Sequence, residues 1–164
     1  MAMKQVCSRG FLSLTTLVIS FSCLLLVGAA TGFSAGEAGT PGPSLIQPDE
    51  LVSILKSAGG PKPLLIQVGF NVLYVQAHIP GSEFIGPGLN PDAIRRLHKR
   101  VEALPRTQPI VLYCGCCPWN ECPNIKPAFR ELDTMGFKNV KLLFIAHNFG
   151  EDWVKKDYPV AKGK

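Results

Sequence analysis

Three short apolar runs, Leu64–Val68, Ile110–Tyr113 and Val140–Ile145, constrain the fold of this chain more than any other feature. Each has the length of a strand and is bounded by turn-forming or polar residues. They are largely apolar rather than alternating, as strands are when helices cover both faces of a parallel sheet. Helical segments separate them. Glu50–Ala58 sets Leu51, Ile54 and Leu55 on one face, with Asp49 as the expected cap and Gly59-Gly60-Pro61 as the stop. Pro91–Ala103 starts after Asn90, with proline at the tolerated first position. Asn124–Met135 tolerates Pro127 only in its first turn and ends at Gly136. Shorter pieces complete the pattern: a helical Asn71–Gln76, a brief strand Glu83–Ile85 and a final helix Glu151–Lys156. Strand and helix alternate without repeats, so the expected class is α/β, a parallel sheet with helices on both faces.

The run Ile110–Tyr113 leads directly into four cysteines within nine residues, Cys114, Cys116, Cys117 and Cys122. The C-terminal end of a strand, facing the next helix, is where α/β folds place ligand sites. Free N–H groups at a helix start favour an anion, and a thiolate or persulfide is one. Four thiols in one loop close circuits too short to stabilise a fold much, so their concentration points to chemistry or metal rather than scaffolding. Cys116 and Cys117 are adjacent, with Cα atoms about 3.8 Å apart, below the usual disulfide range. Cys114 with Cys117, or any of the three with Cys122, are better pairs. Four thiolates also suit zinc, copper(I) or an iron–sulfur centre. Nine residues leave little slack for a tetrahedron, so no metal and no other cofactor is assigned. Gly115, Trp119 and Lys126 are the candidates for contacting substrate, and Cys114 is expected to hold the lowest thiol pKa. His78, His98 and Trp153 read as structural or solvated. His147, after a strand end, reads as an ordinary loop histidine.

Residues 1–29 have the form of a secretory signal peptide, with Lys4 and Arg9 ahead of an apolar stretch and small residues at its end. An uncleaved membrane anchor is the rival, because the stretch approaches the roughly 20 residues that span a bilayer. Export to a periplasm or the exterior is the expectation, with membrane contact only if the leader is retained. Residues 30–47, rich in Gly and Pro, read as a flexible linker. The formal charge of +5 falls to +3 without the leader, an ordinary surface that excludes a nucleic-acid footprint. The basic stretch Arg95–Arg100 fits the wet face of an amphipathic helix.

Leu65-Ile66-Gln67-Val68, Tyr74 and Ala77-His78-Ile79-Pro80-Gly81 come first; Ile110–Cys114 follows, and then Gly136-Phe137, Val140, Trp153 and Pro159-Val160. In that order and spacing they resemble a rhodanese domain over residues 48–160. The resemblance implies a rhodanese-like sheet and a nucleophile at Cys114 that carries sulfane sulfur as a persulfide. It also implies a small sulfur donor, a thiol acceptor and room for a protein thiol partner; beside such a nucleophile the loop's own Cys116, Cys117 and Cys122 read as relay or resolving thiols. Two departures stand out. Gln67 and Gly69 replace the family's Asp and Arg, and the loop Gly115–Pro123 is longer than the usual cradle and lacks arginine. The rival readings are a thiolate metal module and a non-catalytic rhodanese fold used for protein contacts.

Overall fold

The computed structural model describes residues 43–163. The leader and nearly all of the linker lie outside them. Five parallel strands form one sheet: β1 (Ser44–Ile46), β2 (Leu64–Gln67), β3 (Glu83–Phe84), β4 (Ile110–Tyr113) and β5 (Val140–Leu143), in the order β1-β5-β4-β2-β3. The helices are α1 (Pro48–Lys56), α2 (Asn71–Gln76), α3 (Pro91–Val101), α4 (Ile125–Thr134) and α5 (Phe149–Asp152). Short 3-10 turns occupy Trp119–Glu121 and Val154–Lys156.

The sheet has a core on each face, and strand periodicity assigns residues to them alternately. Ile66, Ile110, Leu112 and Leu142 pack under Leu97 and Val101 of α3 and Ala128 and Leu132 of α4. Leu65, Val111, Tyr113 and Leu143 pack under Leu51 and Val52 of α1 and Phe149 and Trp153 of the α5 region. The apolar runs are therefore continuous because each strand is buried twice. Among the described residues, no helix is long and apolar enough to cross a membrane.

Two expectations need correction. β1 occupies Ser44–Ile46, within the stretch read as linker, and Ile46 is buried beside Leu143. A three-residue edge strand with a single buried side chain leaves almost no periodicity to detect. Helix α1 starts at Pro48 after Gln47, so Asp49 lies in its first turn and does not cap it. The expected cap at Asn90 is present, its side chain accepting the Asp92 N–H at 2.8 Å. Gly136 ends α4 with φ +85°. At the far end of the domain, His78 and Ala161 exchange backbone hydrogen bonds at 2.9 and 2.8 Å, so ordered pairing continues one residue past the expected boundary.

Candidate functional site

Strand β4 ends with two neighbours that face opposite ways. Tyr113 points into the α1/α5 core and Cys114 into the α3/α4 core. Gly115 then turns the chain with φ +73°, and a Cβ there would come within 2.7 Å of the Phe149 Cβ. Only glycine meets both demands. The loop is held from outside by two backbone bonds, Phe149 N–H to Gly115 O at 3.0 Å and Trp119 N–H to Ala146 O at 3.2 Å. The 3-10 turn Trp119–Glu121 folds it back, delivering Cys122 to the start of α4.

All four thiols converge as free cysteines. Cys114 and Cys122 are buried, while Cys116 and Cys117 are half-buried. The Cys114 Sγ lies 3.2 Å from the Cys116 Sγ, which lies 3.0 Å from that of Cys117. The sulfurs of Cys114, Cys116 and Cys122 are all within 4.8 Å of one another. Three soft donors that close could also hold a zinc or copper(I) ion.

One negative charge has a clear home in this cluster. The hydrogen bond between the Cys114 and Cys122 sulfurs, with burial, drives the Cys114 pKa far above the ordinary thiol range. The same bond brings Cys122 down to about 5; burial opposes the shift, and the N–H groups of Asn124 and Ile125 reinforce it. Cys122 thus acts as a side chain capping α4, accepting from residues two and three positions on, with sulfur in place of the usual oxygen. Cys117 is pushed up to about 12 by burial and then by its contact with Cys116. The expectation that Cys114 holds the lowest thiol pKa is therefore corrected. Cys114 shares a proton with a neighbour that is better placed to be the thiolate.

Asn124 is the residue that the sequence reading missed. It immediately precedes α4, yet its side chain makes no cap bond. Its Oδ1 accepts the Leu89 N–H at 3.3 Å, and its Nδ2 is aimed at the Cys114 and Cys116 sulfurs, 3.5 and 3.7 Å away. Its carbonyl abuts Gly88, where a Cβ has no room. The only sequence signal is an asparagine before a helix, which reads as a cap.

The family's charged pair is replaced by packing. Gln67 is buried, its Nε2 donating to Cys114 O at 3.5 Å, with Oε1 unpartnered among the described residues. Gly69 lies against Cys114, so a Cβ there would be 3.3 Å from its sulfur. Trp119 is half-buried over Phe144 and joins Cys114, Cys117 and Cys122 around a pocket of about 10 Å³. Lys126 is exposed and in no ion pair among the described residues. Outside the loop, Gly115 and Cys116 line a cleft of about 490 Å³ with Leu73, Phe149, Val154 and Lys162. His147 bonds Asp152 through its N–H at 2.6 Å and its Nδ1 at 3.1 Å. His78 stacks on Tyr74 with centroids 3.9 Å apart, and its Nδ1 meets Tyr74 O at 2.7 Å, a structural role as expected.

Comparison with known proteins agrees with this geometry. The profile of the Rhodanese-like domain matches residues 48–144, more than half of the chain. No curated protein sequence matches. Among solved structures, the rhodanese-like domain of an Anabaena sp protein is 21% identical, with 72% of this chain and 78% of that one covered and a TM-score of 0.53. A single-domain sulfurtransferase of Saccharomyces cerevisiae is 17% identical, with 72% and 94% covered and a TM-score of 0.52. A thiosulfate sulfurtransferase of Pseudomonas aeruginosa is 24% identical over 74% of this chain but only 20% of its own, with a TM-score of 0.53. These likenesses concern the fold. With the profile match and the parallel five-stranded sheet, they make this chain a member of the rhodanese-like domain family.

Proposed function

We propose that the protein is a sulfurtransferase-like thiol protein that carries sulfane sulfur as a persulfide on Cys114. The observation that carries this reading is the position of Cys114, at the end of β4 beside the start of α4 and in sulfur contact with other thiols. A persulfide nucleophile needs a route to the thiolate, donors around its terminal sulfur and access. The Cys122 thiolate takes the Cys114 proton, the Asn124 amide supplies a donor, and the adjoining cleft supplies the approach. The apolar walls of that cleft suit a small sulfur donor, a thiol acceptor or a protein thiol partner. Gly115 and Trp119 shape the space round the sulfurs, and Lys126 draws anionic donors. The leader reading makes this an exported protein, periplasmic or secreted.

The test is to load reduced protein with a sulfane sulfur donor and measure intact mass. Uptake of sulfur should vanish in Cys114→Ser with the melting temperature little changed. Uptake that survives this substitution would remove Cys114 from its role. The close Cys114, Cys116 and Cys122 sulfurs favour a second reading, a thiolate metal site. One equivalent of tightly held metal in protein purified without chelator would support it.

A further inference from the structure

A lone persulfide cysteine stores its sulfur until an acceptor arrives, and this loop is arranged differently. Once sulfur is on Cys114, its own Sγ becomes the inner sulfur of a persulfide, an electrophile. Cys116 lies 3.2 Å from that atom, and Cys122 lies within 4.8 Å. The pocket enclosed by Cys114, Cys117 and Cys122 offers about 10 Å³, around the limit for one water molecule. An added sulfur fills it and presses against its neighbours. Resting on the persulfide reading above, we infer that the loop releases sulfide: Cys122 attacks the Cys114 Sγ, closes a Cys114–Cys122 disulfide and expels the sulfane sulfur as hydrosulfide.

The two steps balance. In loading, the Cys114 sulfur bonds the outer sulfur of a donor X–S⁻, where X is a thiol or a sulfinate. The X–S bond breaks, X⁻ leaves with the electron pair, and the Cys122 thiolate takes the Cys114 proton. In release, the Cys122 Sγ bonds the Cys114 Sγ and the bond from Cys114 to the outer sulfur breaks. The Cys122 proton leaves on that sulfur as HS⁻. Two thiol sulfurs are oxidised to a disulfide, and the sulfane sulfur is reduced by the same two electrons. A dithiol reductant resets the loop by exchange and departs as its own disulfide.

Cys122 is the better resolving thiol for geometric reasons. Only Gly115 separates Cys114 from Cys116, so a bond between them closes a tight ring. Cys122 instead arrives from the folded-back end of the loop, anchored at α4. The Asn124 Nδ2, 3.5 Å from the Cys114 Sγ, is positioned to donate to the charge that grows on the departing sulfur. Cys116, on the cleft wall, marks the way out.

Benzenethiosulfonate is the probe, because it leaves as a sulfinate and contributes no sulfide of its own. Reduced full-length protein is mixed with it anaerobically, and sulfide, intact mass and disulfide-linked peptides are measured. The expected result is sulfide release matched one to one by loss of two hydrogens, with the disulfide mapped to Cys114–Cys122. Folded Cys122→Ser lacks the thiolate that takes the Cys114 proton, so it should load more slowly, keep whatever sulfur it gains on Cys114 and release no sulfide. A stable added sulfur on the wild-type chain without sulfide overturns this inference and leaves the persulfide reading intact. So does a disulfide mapped to another pair, which needs no variant to detect. Failure of both proteins to take up sulfur overturns the persulfide reading itself, and the inference with it.

Discussion

Tyr113 and Cys114 are consecutive residues at the end of one strand, and they belong to two different kinds of polar cluster. On the Tyr113 side the hydroxyls of Tyr113, Ser82 and Tyr74 all have partners. Its hydroxyl accepts the Ile79 N–H at 3.2 Å and shares a 2.7 Å bond with Ser82, and the Tyr74 hydroxyl donates to Ser82 O at 2.5 Å. Burial pushes the Tyr113 phenol above its usual range, so it stays neutral and a good hydrogen-bonding group. On the Cys114 side, four sulfurs hold one another through weak contacts, and Cys114 and Cys122 share a proton. Strong, satisfied oxygen and nitrogen bonds leave nothing to react. Weak sulfur contacts keep nucleophiles available. The contrast teaches that the His78-Ile79-Pro80-Gly81 region ties down the sheet end while the cysteine loop keeps the chemistry.

The largest expected effect is the titration of the loop. In the ultraviolet thiolate band, one group should titrate near pH 5, several units below the ordinary thiol value of about 8.5. Cys122→Ser should remove it, and Cys114→Ser, which exchanges the donor thiol for a hydroxyl, should move it. Stability follows from the same shift. Between about pH 5 and 8.5 the unfolded chain holds the Cys122 proton and the folded chain does not, so stability rises with pH across that window and is lost as pH falls through 5. Cys114 acts oppositely: its contribution is present below about 8.5 and is lost above it, because its folded pKa is raised. Urea midpoints should climb from acid to neutral pH and fall again in alkali, and Cys122→Ser should flatten the acid limb. A native thiolate band that first appears near pH 8.5 would break the distinction between the two sides of the strand.

Tyr113→Phe comes next and strikes the other cluster. It leaves the Ile79 N–H and the Ser82 hydroxyl without the phenol oxygen in a buried setting, a loss of about 1–3 kcal/mol. Denaturant melts should show that loss while the thiolate titration stays unchanged. A shifted thiolate midpoint in this variant would mean that the two clusters are one coupled network.

The two clusters also differ in how far the sequence discloses them. Apolar runs, caps at Asn90 and Gly136 and the His78 motif act over a few residues, so sheet, helices and the structural role of His78 are readable locally. The position of Cys114 at a strand end is readable for the same reason. The ownership of the proton is not. It depends on the 3-10 turn at Trp119–Glu121 returning Cys122 to α4, where N–H groups of Asn124 and Ile125 meet its sulfur. Nor can spacing disclose that Gly69 packs against the Cys114 sulfur, or that Asn124 turns from its helix to the thiols. Both depend on contacts between loops distant in sequence.

Asn124→Ala should produce the smallest change and the sharpest localisation. Asn124 is almost fully buried at 1% exposure, and its amide connects the Leu89 N–H to two sulfurs. N–H to sulfur contacts at 3.5 and 3.7 Å are weak, so their loss should alter reactivity by a modest factor and not abolish it. The Leu89 N–H also loses its acceptor, a stability cost of at most about 1 kcal/mol because Leu89 is exposed and water can replace the bond. A positioning role and a merely structural one separate on the pH profile. If the amide steadies negative charge on the loaded sulfur, sulfur uptake from a fixed donor should slow a few-fold and its pH profile should move to higher pH. Asn124→Asp should retain the Leu89 bond yet slow uptake further, because a carboxylate beside the cluster repels the same charge. Equal uptake and an unmoved profile in both variants, with only the melting temperature lowered, would confine Asn124 to holding Gly88 and α4 together.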